Sequence, residues 1–360
     1  MAPLSTAPTM TTAQIIAARL KLARSAAELS LRDLAARVGL SANAISKFET
    51  GQTTPSSERL IALAGALERP LDFFVRPFGP EVRSISFRKK SKLGKRQETA
   101  LRANVKDHVE RYLELEAHLE AHITFAPPKH PVSDDPAHAE ALARSLRKTW
   151  KLGNGPLSNV VEMLEEHGVR VIDLDAPDSF DGCCGWVGNV PFIVLAKWLD
   201  ADLPRKRFTA LHELGHLVLT LPDDLEPRLE ENLCHRFANA LLLPAEGVRN
   251  AFGPRRSRVS LEELTLIKSE YGISLSATLR RLLDLAVITP RHHKGWMMTG
   301  SKHGWRKPGG EPGSFIGAER AYRFDQLLAR AVADERISLS RAAALTGRSI
   351  ASLRPHLLGS

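Results

Sequence analysis

Residues 207–219 read Arg-Phe-Thr-Ala-Leu-His-Glu-Leu-Gly-His-Leu-Val-Leu. On a helix, positions i and i+4 share a face, so His212 and His216 come to one side with Glu213 beside them. The flanks are apolar, as in a buried helix. Two histidines and a carboxylate are costly there unless they share a partner. His-Glu-x-x-His is the pattern in which two imidazoles hold zinc and the glutamate between them serves as general base. A third protein ligand is expected from a separate element. Glu230 and Glu231 open the next helical stretch, which runs to Pro244, and both are candidates.

Around this helix the pattern is α+β, mostly α. Residues 137–150 and 156–168 have helical periodicity and lead into Val169–Leu174, a strand. Gly185–Gly188 and Pro191–Ala196 read as a hairpin around Asn189. A compact helical piece covers Leu275–Leu285. Residues 295–318, rich in Gly, Lys, Trp and Pro, read as loop, and a helical tail closes the chain.

Residues 12–75 carry a different signal. Ile16, Leu20, Leu31, Leu34, Ala35, Val38, Ile45 and Phe48 recur at helical spacings. Ser30 and Ser41 are N-caps by type. Gly39 stands where a chain reversal needs positive φ. A helix-turn-helix requires this order: a tight turn, then a short helix with an apolar face inward and small polar side chains outward. Ile45 and Phe48 face in; Ser41, Asn43, Ser46 and Lys47 face out, where such groups can reach base edges.

Two resemblances follow. Residues 12–75, with Ile-Ser-Lys-Phe-Glu-Thr-Gly-Gln-Thr-Thr-Pro-Ser (45–56), resemble the Cro/C1-type (XRE) helix-turn-helix regulators. That resemblance implies binding to an operator in double-stranded DNA, usually as a homodimer, with base-reading side chains from Ser41, Ala42, Asn43, Ser46 and Lys47. Residues 140–290, with Arg-Phe-Thr-Ala-Leu-His-Glu-Leu-Gly-His and then Glu-Asn-Leu-Cys-His-Arg-Phe-Ala-Asn-Ala-Leu-Leu-Leu-Pro (231–244), are similar to the ImmA/IrrE zinc metallopeptidases. That similarity implies a helical zincin-like domain with a small three-stranded sheet and Glu231 as the third zinc ligand, Glu230 being the fallback. It also implies cleavage of regulatory proteins, often helix-turn-helix repressors. His235 stands where many members have Asn or Asp. It is read as a partner of the ligands, a fourth ligand or an oxyanion stabiliser, against the alternative of a structural histidine. Together the resemblances imply a transcriptional regulator with a zinc endopeptidase, triggered by a stress or partner signal. The alternative is a regulator whose peptidase-like part is a non-proteolytic sensor or scaffold.

The expected layout is a five-helix DNA-binding bundle (1–78), a basic linker and connecting helix (79–130), the peptidase domain (131–294) and a basic loop with a helical tail (295–360). Composition agrees with a globular protein: 360 residues, 43% hydrophobic and 25% charged. No apolar run is long enough to span a bilayer. The first ten residues lack signal-peptide character and read as a ragged tail. Three cysteines, Cys183, Cys184 and Cys234, cannot build a disulfide framework, which points to a cytoplasmic setting.

The net charge of +9 is blocked. Residues 1–130 carry 20 basic and 13 acidic side chains, 131–250 carry 12 and 19, and 251–360 carry 18 and 9. Residues 1–75 are only +2, so the basic run at 76–96 either tracks phosphates or is a solvated linker. Weaker signals complete the reading. The cysteines are buried small residues or oxidant sensors. His292 and His293 lie in a basic loop, and Trp296 and Trp305 are candidates to stack on bases. Residues 337–353 echo the first helix-turn-helix, as a second DNA-binding unit or as a helical pair packed on the peptidase.

Overall fold

Short hydroxyl side chains start most of the helices. Thr11, Ser30, Ser41 and Ser56 each accept a backbone N–H three residues on, and they begin α1 (Thr12–Ala26), α2 (Leu31–Arg37), α3 (Ala42–Glu49) and α4 (Ser57–Ala66). Leu71–Val75 forms α5. The computed structural model describes residues 10–78, 82–87, 94–305, 307 and 309–358. After β1 (Val82–Phe87) come α6 (Lys95–Leu119), α7 (Pro136–Thr149) and α8 (Val160–Glu166). Next are β2 (Arg170–Leu174), β3 (Gly182–Val187) and β4 (Val190–Ala196). They are followed by α9 (Leu203–Val218), α10 (Pro227–Leu242), α11 (Ala245–Phe252), α12 (Leu261–Tyr271), α13 (Leu275–Asp284) and α14 (Pro290–Lys302). The chain ends in α15 (Arg323–Ala333), α16 (Leu339–Thr346) and α17 (Ile350–Leu358). The fold is α+β and mostly α.

The described residues divide into two compact units. One draws on Met1–Val82, Lys92–His122 and Arg323–Ser360, the other on Arg83–Ser91 and Ile123–Tyr322.

In the first unit, α1 to α5 close around Leu20, Leu34, Ile45, Phe48, Leu63 and Phe74. Gly39 makes the turn from α2 to α3 at φ +64°, a backbone that a side chain strains. Arg24 grips Glu49 through two nitrogens (2.6 and 2.8 Å) and braces α1 against the end of α3. α6 is tied to this bundle by buried charge. Arg19 on α1 is fully buried and donates to Glu110 (2.7 Å) and to the carbonyls of Arg76 and Pro77. Asp107 sits among Arg76, Arg69 (3.3 Å) and Arg111 (3.1 Å).

The C-terminal helices belong to the first unit and pack on α6. Leu327, Leu328, Ala331 and Val332 form the buried face of α15, the Tyr112 and Phe324 rings meet at 5.4 Å, and Arg111 donates to the carbonyl of Leu345 (2.6 Å). The apolar stripe of α6 is wide enough to serve α1 and α15 at once.

The second unit holds the sheet. β2 runs parallel to β4 (Ile172 opposite Val194) and β3 antiparallel to it (Cys184 opposite Ile193). Gly188 supplies the positive φ of the β3–β4 turn. These are the three expected strands. β1, from the segment read as linker, extends the sheet beside β3, giving the order β1-β3-β4-β2. Strand pairing reaches across the chain and leaves little trace in a basic run. α9 lies on β3 and β4, and α10 packs on α9, α7 and α13. Residues 290–302, mostly read as loop, form α14: Thr289 caps it, Pro290 begins it, and Gly300 lies under the Trp305 ring. Among the described residues, no helix is long and apolar enough to cross a membrane.

A buried ion pair locks the start of α9. Arg207 and Glu319 are both at most 1% exposed and bond to each other. Glu319 also accepts the N–H groups of Val160 and Val161 at the start of α8 (2.8 and 3.0 Å), and Arg207 donates to the carbonyl of Leu157 (2.7 Å). Glu319→Ala would leave the guanidinium buried without its carboxylate. Breaking a buried pair this way costs about 3–5 kcal/mol. Urea unfolding followed by circular dichroism is expected to show that loss, and adding Arg207→Met is expected to restore part of it.

Candidate metal centre and nucleic-acid interface

α9 and α10 build one site between them. Asp202 caps α9 by accepting the Arg205 N–H (3.3 Å). The helix then carries Ala210, Leu211 and Leu214 into the core and presents His212 and His216 on one face. α10 can approach closely because residue 215 is glycine. A methyl group there would lie 3.2 Å from the Cα of Cys234 and 3.3 Å from the Phe237 ring.

This approach delivers Glu231 to the histidines. The Nε2 atoms of His212 and His216 lie 3.2 Å apart. Glu231 places one oxygen 3.5 Å from His212 Nε2 and the other 3.5 Å from His216 Nε2. Four ligands about 2.0–2.1 Å from a tetrahedral zinc stand roughly 3.3 Å from one another. Two imidazoles and a carboxylate at these separations fit that ion. His212, His216 and Glu231 form the one group of His, Cys and acidic side chains among the described residues with ligand atoms gathered closely enough for a metal.

The two glutamates part company here. Glu231 faces the gap between the rings, whereas Glu230 bonds to the far side of His216, at Nδ1 (3.0 Å). A carboxylate behind an imidazole fixes its tautomer and turns Nε2 forward. Burial opposes a charge on His216, but side-chain hydrogen bonds to Cys234 and Glu231 and the nearby Glu213 carboxylate outweigh it, raising its pKa to about 11. The surroundings favour positive charge.

Glu213 is 2% exposed and shares a hydrogen bond with the Cys184 thiol. Burial, followed by the Glu213 charge, pushes that thiol well above its ordinary pKa. Cys183, Cys184 and Cys234 are buried and form no disulfide among the described residues, and two of them touch the site. His235, one turn beyond Glu231, stacks on Phe208 and lies 4.6 Å, ring to ring, from His212. It lines a cleft of about 960 Å³ together with Phe208, Leu229, Ala277 and Trp305. Asn239 also lines this cleft; it is buried, and its Oδ1 has no hydrogen-bond partner among the described residues. Sequence reasoning missed Asn239, although the four-residue step Glu231–His235–Asn239 marks one face of α10.

The other candidate surface is α3. Ile45 and Phe48 are buried, Asn43 and Lys47 are exposed, and Ala42 and Ser46 are half-buried. The Ser41 hydroxyl accepts the Ala44 N–H (3.1 Å), so it serves as the helix cap. The five predicted residues therefore occupy the first turn and outer face of one helix. The weaker candidates separate. Trp296 and Trp305 stack on each other at 5.9 Å; Trp305 is buried, so its ring is closed to a base, whereas Trp296 is half-buried. His292 and His293 lie on α14. Residues 1–9 and most of the cationic run (Arg88, Lys89, Lys90 and Lys92) lie outside the described residues.

Comparison with known proteins agrees with both parts. Residues 20–74 match the family model described as helix-turn-helix, and residues 164–283 match the one described as the IrrE N-terminal-like domain. No curated protein matches the chain.

Two substitutions test how the cluster is built. Glu230→Ala removes the support of His216 and is expected to weaken zinc binding about 10–100-fold. Gly215→Ala pushes α10 from α9 and is expected to weaken it too, with little change in helix content. Zinc titration against a fluorescent chelator reads both.

Proposed function

We propose that this chain, in which a helix-turn-helix module is joined to an IrrE N-terminal-like domain, is a DNA-binding transcriptional regulator with a zinc-dependent endopeptidase. Its substrate is a regulatory protein of the repressor type. The observation that carries the peptidase reading is the convergence of His212, His216 and Glu231 beside a buried Glu213, with His235 between His212 and a cleft of about 960 Å³.

In this reading His212, His216 and Glu231 hold zinc, which when bound supplies a Lewis acid for the peptide carbonyl. Glu213 takes the proton from the attacking water and passes it to the leaving amine nitrogen. His235 faces the cleft beside His212 and donates to the oxygen that gains negative charge. Phe208 fixes that ring by stacking. Glu230 keeps His216 in the tautomer that faces forward.

The DNA-binding part is assigned to residues 1–78. α3 enters the major groove, and Ser41, Ala42, Asn43, Ser46 and Lys47 face base edges and phosphates, with a homodimer matching a two-fold operator. The peptidase part is assigned to residues 131–294. A regulator of this kind works in the cytoplasm.

Glu213→Gln separates chemistry from folding. The variant is expected to keep its zinc, by metal analysis, and its DNA affinity. Hydrolysis of candidate helix-turn-helix repressors, followed by mass spectrometry, is expected to fall at least about a hundredfold. A zinc-loaded wild type that cleaves none of them would instead favour a sensor or scaffold. Asn43→Ala with Lys47→Ala is expected to abolish a salt-sensitive footprint on DNA selected from random duplexes.

A further inference from the structure

The last three helices repeat the local geometry of the first three. Two residues past the end of α1, Glu28 has φ 53°, and two residues past the end of α15, Glu335 also has φ 53°. Around Glu28, the N–H groups of Ala27, Glu28 and Leu29 donate to the carbonyls of Ala23, Ser25 and Arg24 (3.0, 3.1 and 3.1 Å). Around Glu335, those of Asp334, Glu335 and Arg336 donate to Arg330, Val332 and Ala331 (2.8, 3.1 and 2.9 Å). Each pair of donors, and each pair of acceptors, stands 307 residues apart.

One residue is then inserted, and the match continues at 308. Ser30 caps α2 by accepting the Asp33 N–H (3.1 Å); Ser338 caps α16 by accepting that of Arg341 (3.2 Å). Leu34 and Ala342 are both fully buried. Gly39 turns at φ +64° and Gly347 at φ +71°. Ser41 accepts the Ala44 N–H (3.1 Å) and Ser349 that of Ser352 (3.2 Å). Ile45 and Leu353 are the fully buried anchors of the helices that follow. α17 packs on α16 and α15, as α3 packs on α2 and α1.

We infer that α15–α17 are a second helix-turn-helix and that the exposed face of α17, with the turn before it, binds duplex DNA, Arg348 in the turn and Arg354 on the helix being its cations. Charge selects the occupant. Residues 336–358 contain Arg336, Arg341, Arg348 and Arg354 and no acidic side chain. Arg341 is committed to Glu114 and Asp72. Arg348 and Arg354 are exposed and form no ion pair among the described residues. Ser349, Ser352 and His356 share the exposed surface. A polyanion fits this face; an apolar or cationic partner does not.

The repeat departs from the first copy in a useful way. Asn43 and Lys47 correspond to Ala351 and Pro355, while Ser46 corresponds to Arg354. α17 lacks the amide that reads adenine and keeps cations that meet phosphate. The second unit therefore adds affinity, salt dependence and footprint length more than sequence choice. This inference rests on the DNA-binding reading of α3, but the two fail separately.

The test uses the full zinc-loaded chain and a 60-base-pair duplex pool selected from random sequence. Arg348→Ala with Arg354→Ala is expected to weaken binding at least tenfold at low salt and to shorten the protected footprint. Two lost phosphate contacts lower the slope of log affinity against log salt by about two. Arg348→Lys with Arg354→Lys is expected to restore the slope. Arg336→Ala, exposed in the same tail but off α17, controls for net charge and is expected to leave the footprint unchanged. If the double alanine variant keeps wild-type affinity, slope and footprint while Asn43→Ala with Lys47→Ala loses them, α17 is no DNA reader and the reading of α3 stands. If the wild type binds no duplex, both are overturned.

Discussion

The contact between Gly215 and Cys234 decides whether the candidate centre exists. Two histidines a turn apart on α9 are a local consequence of sequence, but the carboxylate that completes the set belongs to another helix. Its position depends on how near the two backbones can come. Glycine at 215 removes the one methyl group that would hold them apart. Once the helices touch there, the helical repeat places Glu231 in front of the rings and Glu230 behind them. α9 is held from its other side by β3 and β4, so the contact cannot be relaxed by tilting the helix away without opening the core.

Buried charge fixes both units in a similar manner. Arg207 with Glu319, Lys206 with Asp173 and Asp200, and Arg19 with Glu110 place cations at zero exposure. Such pairs add little net stability, because the desolvation of each ion offsets much of their attraction. What they impose is geometry. Arg207 can be satisfied only where Glu319 and the Leu157 carbonyl meet it, which sets the start of α9 and so the rotation of the helix that carries His212. Arg19 plays the corresponding part for α6, since its partners come from the helix and from the strand of chain after α5.

The legible features were those written within a few residues. The HExxH helix, the caps at Ser30 and Ser41, the Gly39 turn and the hairpin around Asn189 all depend on neighbours close in sequence, and the structure contains each of them. β1 was read as linker because its pairing partner, β3, lies far along the chain. α14 was read mostly as loop because Gly295 and Gly300 suggest a break, whereas packing of Trp305 over Gly300 makes the small residue useful. The tail was recognised as an echo of the first helices, yet its place beside α6 depends on Tyr112 and Phe324 meeting across the unit. At the metal centre, both glutamates were candidates on spacing alone. Only the facing of α10 against α9 assigns them to opposite sides of His216.

The blocked charge of +9 takes a different meaning once each cation is placed. Many arginines of the N-terminal unit are used internally. Arg19, Arg24, Arg69, Arg76, Arg111, Arg323 and Arg341 all meet acidic partners in the fold. Those charges are neutralised within a few ångströms and project little field beyond a Debye length of about 8–10 Å. The cations left exposed include Lys47 on α3 and Arg348 and Arg354 by α17, together with Lys21, Arg32, Arg37 and Arg59. Net charge therefore overstates the breadth of any DNA-facing surface. The cations that matter stand on helices whose apolar side is already committed to the core.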